Sequence, residues 1–421
     1  MSGSGRQNEL DRVPGISRGV HSGVFTSFQA GGRDGAPSAY ASRARMSQPI
    51  LEEHLGYLAD PVRHAKLRDA LAALIEPGDR VVDLGCGSGV LGLLCLQQGA
   101  GFVEAIEKTA MIEAARQTFR RAGFAEKVQL HHESSFHVQL ETSADVLVCD
   151  HIGYFGIDYG LLELLADARK RFLKPGGRIL PRRLQLLVGA VQSESCRSKA
   201  EGWASDKVAP EFHWLRNHGI NAKYAVDLKP EELLSGLVQI GGLEPGLDYP
   251  SVLSWETELT VSRDGLLDGL VGCFRAELAP DIWVSNSPLT EDSIARHQAF
   301  LPIASRLPVR AGDRLSITVK QMPSENLIAW QVAHPASGQR FSHSTFAGQL
   351  LTQGDLARCS PGRRPRIGAT GKARQTVLDY VNGLRTAQEI EQIVLQNHPD
   401  LLPSPTAISR FVVSTLGRDT E

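Results

Sequence analysis

The stretch VVDLGCGSGVLGL at residues 81–93 most narrows the folds open to this chain. An apolar run meets a carboxylate, Asp83, then Gly85, Gly87 and Gly89, before apolar residues resume at helical spacing. That order reads as a buried strand, a tight turn and a helix N-terminus, where backbone N–H groups face a ligand. Glycines lack the Cβ that would hold a ligand away from the backbone. The turn alone is a weak guide, because dinucleotide sites use similar ones. Asp83 separates the readings: an acid there suits a ligand with an ammonium group and repels a pyrophosphate. Glu107 ends the next strand, FVEAIE, where an acid can accept both hydroxyls of a ribose.

The flanking sequence extends this pattern. From 46 to 181 helical and strand periods alternate: ILEEHLGYLADPVRHAKLRDALAALI, RVVDLG, GLLCLQQG, FVEAIE, IEAARQTFRRAG, KVQLHH and ADVLVCD. Such alternation implies right-handed crossovers and a parallel, Rossmann-like sheet covered on both faces. Over 182–351 the character changes to LQLLVGAVQ, SVLSWETELTV, LVGCFRAEL, DRLSITVKQM and LIAWQVAH, separated by turn residues. These runs predict an antiparallel β-barrel or sandwich, interrupted by a short helix at KPEELLSGL, 229–237. Residues 1–45 are rich in Gly, Ser, Ala and Arg and read as disordered. Residues 352–374 carry six basic side chains and read as a solvated linker, or as a contact for an acidic partner. Residues 375–421 form a small helical unit, with a capping box at Thr386 and Glu389 and a second cap at Ser404–Pro405.

Charge and cysteine usage exclude several classes. A net charge of −2 creates no field that draws the chain onto nucleic acid or membrane. The six cysteines are scattered without a C-x-x-C pair, which argues against zinc and a disulfide framework and fits a reducing cytoplasm. No apolar run nears the ~20 residues of a membrane span, and MSGSGRQNELDR lacks the apolar core of a secretory signal. His131 and His132 are adjacent on a strand and point opposite ways, so they share no metal. No metal is expected.

D-x-G-x-G with a second acid at Glu107 resembles the S-adenosylmethionine site of class I methyltransferases, and FLKPGGRIL is a looser mark of the same group. The chain also resembles one branch of them, the protein arginine methyltransferases. HLGYLADPVRHAKLRDAL at 54–71 is similar to the helix that this family places before its first strand. The resemblance implies that His54 and Arg63 contact the cofactor, Arg63 by pairing with the methionine carboxylate; on the residues alone, Arg63 also reads as a solvated helix face. DHIGY resembles the E-W-M-G-Y of the family's double-glutamate loop and puts Asp150 in the first acid's place, where it also reads as a helix N-cap. FHWLRNHGINA at 212–222 is similar to the start of a dimerisation arm, about 213–236. DGLVGCFRAEL and WVSNSP resemble strands before the family's Thr-His-Trp loop. His297 in ARHQAFLP then takes that loop's histidine position, though it also reads as a surface histidine. The likeness covers roughly residues 46–350. It departs where the first acid is Asp rather than Glu, where the second acid's position holds Tyr159 beside Asp158, and where Gln298 replaces the Trp.

The resemblance implies an S-adenosylmethionine-dependent methyltransferase that acts on a nitrogen, of arginine or another group, in a protein or peptide. Asp150, His297, Asp158 and Tyr154 are the expected catalytic residues. His54, Arg63, Asp83, Gly85, Gly87, Glu107 and Ser134 are expected at the cofactor. A homodimer is the family's expectation. Two alternatives stay open: a small-molecule N- or O-methyltransferase on the same scaffold, and a binding protein with weakened catalysis. VNGLRTAQEIEQIV in the tail distantly resembles peptide-chaperone domains that capture leader peptides.

Overall fold

The computed structural model describes residues 47–420, with side chains from Leu51 onward. The disorder expected over 1–45 lies outside the described residues. What reads as one long helical stretch is two helices, α1 (Ser47–Leu58) and α2 (Pro61–Leu74). Asp60 makes the break. Its backbone is extended, its side chain accepts from the Arg63 N–H, and Pro61 fills the first helical position, where no N–H is needed.

Five strands follow: β1 (Arg80–Leu84), β2 (Phe102–Ile106), β3 (Val128–His131), β4 (Ala144–Val148) and β5 (Leu173–Leu180). They pair in parallel in the order β3-β2-β1-β4-β5. Helices α3 (Val90–Gln97), α4 (Met111–Arg121) and α5 (Leu161–Phe172) lie among them in sequence. β1 and β4 are almost wholly buried, as strands covered on both faces must be. The chain runs outward from β1 through β2 and β3, then returns to β4 on β1's other side. Ligands of such sheets sit at that switch, outside the carboxyl ends of the strands.

The second half is antiparallel, with two short helices between its strands, α6 (Glu194–Glu201) and α7 (Arg216–Gly219). β6 (Arg183–Val191), β7 (Tyr224–Val226), β8 (Val238–Leu243), β10 (Gly265–Ala279), β11 (Ile282–Ser285) and β12 (Gln298–Val309) form one sheet. β9 (Leu253–Thr260), β13 (Arg314–Met322), β14 (Leu327–His334) and β15 (Gln339–Ser344) form another. The expected barrel or sandwich is therefore observed as two sheets. They share one core, and the fully buried Trp330 of β14 donates its indole N–H to the Pro302 carbonyl of β12 at 2.7 Å. β10 is the spine of the first sheet, with β6 on one side and β12 on the other.

Two sequence expectations are corrected. In 229–237 only Pro230–Glu232 turn helically; Leu233 and Ser235 instead bridge to Val191 and Val261. Leu233 and Leu234 are buried against the strands, so tertiary pairing overrides the local helical signal. Within the expected linker, Thr352 and Asp355 form a capping box that opens a short helix, α8 (Gln353–Arg358).

Residues 367–420 form a separate helical unit: α9 (Ala369–Leu378), α10 (Ala387–Asn397) and α11 (Pro405–Asp419). Its first helix starts inside the stretch expected to be a linker. Val377, Ile390, Val394, Ile408, Val412 and Leu416 make its core, and the Thr386 and Ser404 caps are as the sequence suggests.

Phe155, in the loop after β4, joins the two sheet systems. It is fully buried, and its ring lies 2.7 Å from where a Cβ on Gly272 of β10 would be. Only glycine permits that approach. Phe155→Ala is expected to cost about 3–5 kcal/mol, read as a lower midpoint in urea unfolding.

Candidate active site

At the end of β1 the backbone passes through positive φ at Gly85, Gly87 and Gly89. The space that a side chain would fill is occupied by two imidazoles. His151 packs 2.9 Å from a Cβ at Gly85, and His54 of α1 packs 2.4 Å from one at Gly87. Asp83 lies fully buried beneath this turn. Its Oδ2 accepts from the Gly92 N–H at 2.8 Å, while its Oδ1 is buried with no partner. Burial pushes its pKa up to about 7, with Glu107 and Asp150 adding repulsion and the Gly92 bond opposing them. Glu107, after β2, accepts from the Gly87 N–H at 3.1 Å and the Thr109 N–H at 2.7 Å. Ser134, after β3, donates its backbone N–H to Glu133 and accepts from His137.

Arg63 is buried on α2, not solvated. Its guanidinium forms a two-nitrogen contact with Asp150 Oδ2, with Nε at 2.8 Å, and donates to the Tyr57 carbonyl at 3.2 Å. Two guanidinium groups approach the Tyr57 ring, Arg63 at 5.5 Å and Arg296 at 4.9 Å from its centroid. Asp60 has a second role beyond its cap, because its Oδ2 accepts from the Ala295 N–H at 2.7 Å. One carboxylate thus ties the start of α2 to the loop that carries His297.

The loop 150–160 is braced by side chains from distant elements. Arg296 donates to the Ile152 carbonyl, and Asn286 donates to the Tyr154 carbonyl at 2.9 Å. Asp158 is buried; it accepts from the Phe155 N–H at 2.7 Å and pairs with the Lys223 ammonium. Its carboxylate is committed to holding the loop. Tyr159, at the second acid's position, is half-exposed with φ 66°. Its ring meets Tyr154 edge-on at 6.1 Å, and Tyr154 meets His297 edge-on at 5.6 Å. Burial and the Tyr154 hydroxyl raise the Tyr159 phenol pKa. His297 Nδ1 lies 2.6 Å from Asp227, and Gln298 accepts from the Leu228 N–H at 2.9 Å.

The structure therefore gathers His54, Arg63, Asp83, Gly85, Gly87, Glu107 and Asp150 at the ends of β1, β2 and β4. It sets Tyr154, Tyr159 and His297 together as a second cluster. Sequence reasoning missed Asp60, although Asp-Pro ahead of a helical period is a capping signal. It also missed Tyr57, Lys223, Asp227, Asn286 and Arg296. Apart from Tyr57, which lies six residues ahead of Arg63, these have partners far along the chain.

Comparison with known proteins bears on the fold. A family profile described as ribosomal protein L11 methyltransferase (PrmA) matches residues 67–216. The Trypanosoma brucei PRMT1 enzyme–prozyme heterotetrameric complex with AdoHcy superimposes with a TM-score of 0.62 at 16% identity, covering 69% of this chain and 96% of that one. Arabidopsis thaliana protein arginine methyltransferase 10 gives 0.61 at 19% identity, covering 70% and 98%. By fold, the chain resembles the protein arginine methyltransferases. In sequence, the chain is 33% identical over 141 residues to probable protein arginine N-methyltransferase 6 of Arabidopsis thaliana, 33% of this chain and 32% of that relative. It is 28% identical over 301 residues to the arginine N(omega)-methyltransferase of Streptomyces achromogenes subsp. streptozoticus, 66% of this chain and 78% of that relative. The matches to the first four curated relatives span 32% to 59% of their lengths.

Because folding raises the Asp83 pKa above its unfolded value near ~4, the native state holds a proton that the unfolded chain releases. Stability of the ligand-free protein is expected to fall as pH rises from about 4 to about 7. Asp83→Asn is expected to remove this component, seen in urea midpoints measured across that range.

Proposed function

We propose that this chain transfers the methyl group of S-adenosylmethionine to a nitrogen of an acceptor bound at the loop 150–160. One observation carries the reading: Arg63, on the helix ahead of the nucleotide-type strand, meets Asp150, at the end of β4, beside the glycine turn. A cation suited to an amino-acid carboxylate and an acid suited to an acceptor N–H thus share one point.

The residues fit a sulfonium nucleoside. Asp83 Oδ1 is a buried acceptor with no protein partner, which suits the cationic amino-acid end. Glu107 reaches the turn where a ribose would lie, and the two imidazoles at Gly85 and Gly87 line the same turn. When bound, S-adenosylmethionine supplies an electrophilic methyl, which the acceptor's lone pair attacks as the carbon–sulfur bond breaks. Arg63 would bind the ligand's carboxylate, which competes with Asp150 for the guanidinium. Asp150 would orient the acceptor N–H, and Tyr154 and Tyr159 would wall the acceptor's far side. His297, paired with Asp227, is the group on the acceptor side that would take the released proton. Holding the acceptor in line is worth up to ~7–11 kcal/mol of barrier.

Once Arg63 turns to the ligand's carboxylate, the acceptor meets a single carboxylate, Asp150. A guanidinium is best held by two, which match its fork of donors. Tyr159 fills the second position, and Asp158 is held by Lys223 and the Phe155 N–H. This favours a nitrogen with less demand for paired acids, in a peptide or in a small molecule. The longer match to a relative named for arginine N(omega)-methylation supports the small-molecule reading as a second one. Exposed Phe212 and Trp214 at the start of the arm-like segment, with exposed Trp203 ahead of it, support a homodimer. Its cysteines are all free thiols, in keeping with a reducing, cytoplasmic setting. None of the described helices is long and apolar enough to cross a membrane.

Calorimetric titration with S-adenosylhomocysteine tests the reading. Micromolar binding is expected, weakened at least ~10-fold by Asp83→Ala and by Arg63→Ala; absence of binding by folded protein would sink it. With free L-arginine and a Gly-Arg-Gly peptide as acceptors, Asp150→Asn is expected to keep cofactor affinity and to lower turnover at least ~100-fold. Equal loss of both would refute the role given to Asp150. Tyr159→Asp restores a second acid with a residue that tolerates positive φ, and is expected to raise turnover of L-arginine relative to a primary amine such as L-lysine.

A further inference from the structure

We infer that Asn286 is the positioning residue that fixes the two acceptor-side loops, 150–160 and 295–298, against each other. The inference rests on the reading that these loops face the methyl acceptor. Asn286 follows β11 and is fully buried. An asparagine side chain offers two N–H donors and one strong acceptor, and all are used. Oδ1 accepts from the Phe274 N–H of β10 at 2.8 Å. Nδ2 donates to the Tyr154 carbonyl at 2.9 Å and to the His297 carbonyl at 2.7 Å. The three partners dictate which way the amide faces, because the reverse orientation would aim N–H at N–H and oxygen at two carbonyls. The main-chain carbonyl of Asn286 accepts from Gln298 Nε2 at 2.7 Å, so Gln298 closes the ring of contacts from the strand that follows His297.

The rigid part of this network is β10, paired on both sides. Through one planar amide it sets the backbone of Tyr154 and the backbone of His297 at once. Their rings stand 5.6 Å apart and edge-on, and neither Tyr154 nor His297 lies within a strand that would hold that relation. Asn286 touches neither acceptor nor cofactor in this scheme; it acts through where it places two carbonyls.

The isosteric Asn286→Asp separates this role from simple support of β10. It keeps the oxygen facing Phe274 and loses both donated bonds, setting oxygen against two carbonyl oxygens. Asn286→Ser, which adds no charge, is the second variant. The full chain is labelled with 3-fluorotyrosine, and Tyr154 is assigned by Tyr154→Phe. Both variants are expected to move or broaden the Tyr154 fluorine signal and to leave those of Tyr249 and Tyr380 in place. Amide exchange is expected to quicken at least ~10-fold in peptides covering 150–160 and 295–298, while β1 keeps its wild-type protection. Affinity for S-adenosylhomocysteine is expected to stay within about twofold. Wild-type fluorine shifts and loop exchange in either variant would overturn the inference, as would a uniform rise in exchange through β1 and β10. Failure of wild-type protein to bind S-adenosylhomocysteine would sink the methyltransferase reading instead, and the exchange data would still decide on Asn286.

Discussion

The loop 150–160 has one internal backbone bridge, between Gly153 and Gly156, so its shape depends on groups supplied from elsewhere. Arg63 holds its first residue, Arg296 and Asn286 hold its carbonyls, Lys223 holds Asp158, and Gly272 makes room for Phe155. Without them the ends of β4 and α5 would be joined by a glycine-rich tether with many conformations. With them, a carboxylate, two phenols and an imidazole keep set relations. The antiparallel half contributes to the site mainly by this bracing.

Burial does the corresponding work on the cofactor side. Asp83 sits among apolar neighbours with one oxygen unpaired, an arrangement that costs stability in the ligand-free protein. A cationic ligand relieves that cost by favouring the ionised acid. In the proposed reading, the same residue is a weakness of the empty fold and a source of affinity in the loaded one.

Much of this was legible in the sequence because it follows from local period and spacing. The strand into Gly85–Gly89, the acids Asp83 and Glu107, and runs such as LIAWQVAH, which coincides with β14, need only the rules of strand, turn and helix. What escaped depends on long-range meetings. Arg63 finds Asp150 across 87 residues, and Asn286 finds Tyr154 across 132. By position Asp158 reads as a catalytic acid, yet the structure commits it to Lys223, which carries no motif. KPEELLSGL reads as helix because its composition favours one, while its leucines serve the sheets.

Tyr159 has a φ of 66°, in a region where most side chains carry a steric penalty. This bears on how such a site changes over evolutionary time. A lineage restoring an acid at this position must satisfy backbone geometry as well as charge. Asp and Asn fit that backbone more readily than Glu, so the accessible route leads to a shorter carboxylate. Descendants of this chain would more readily acquire a pair of aspartates than a pair of glutamates, with an acceptor cleft spaced to match.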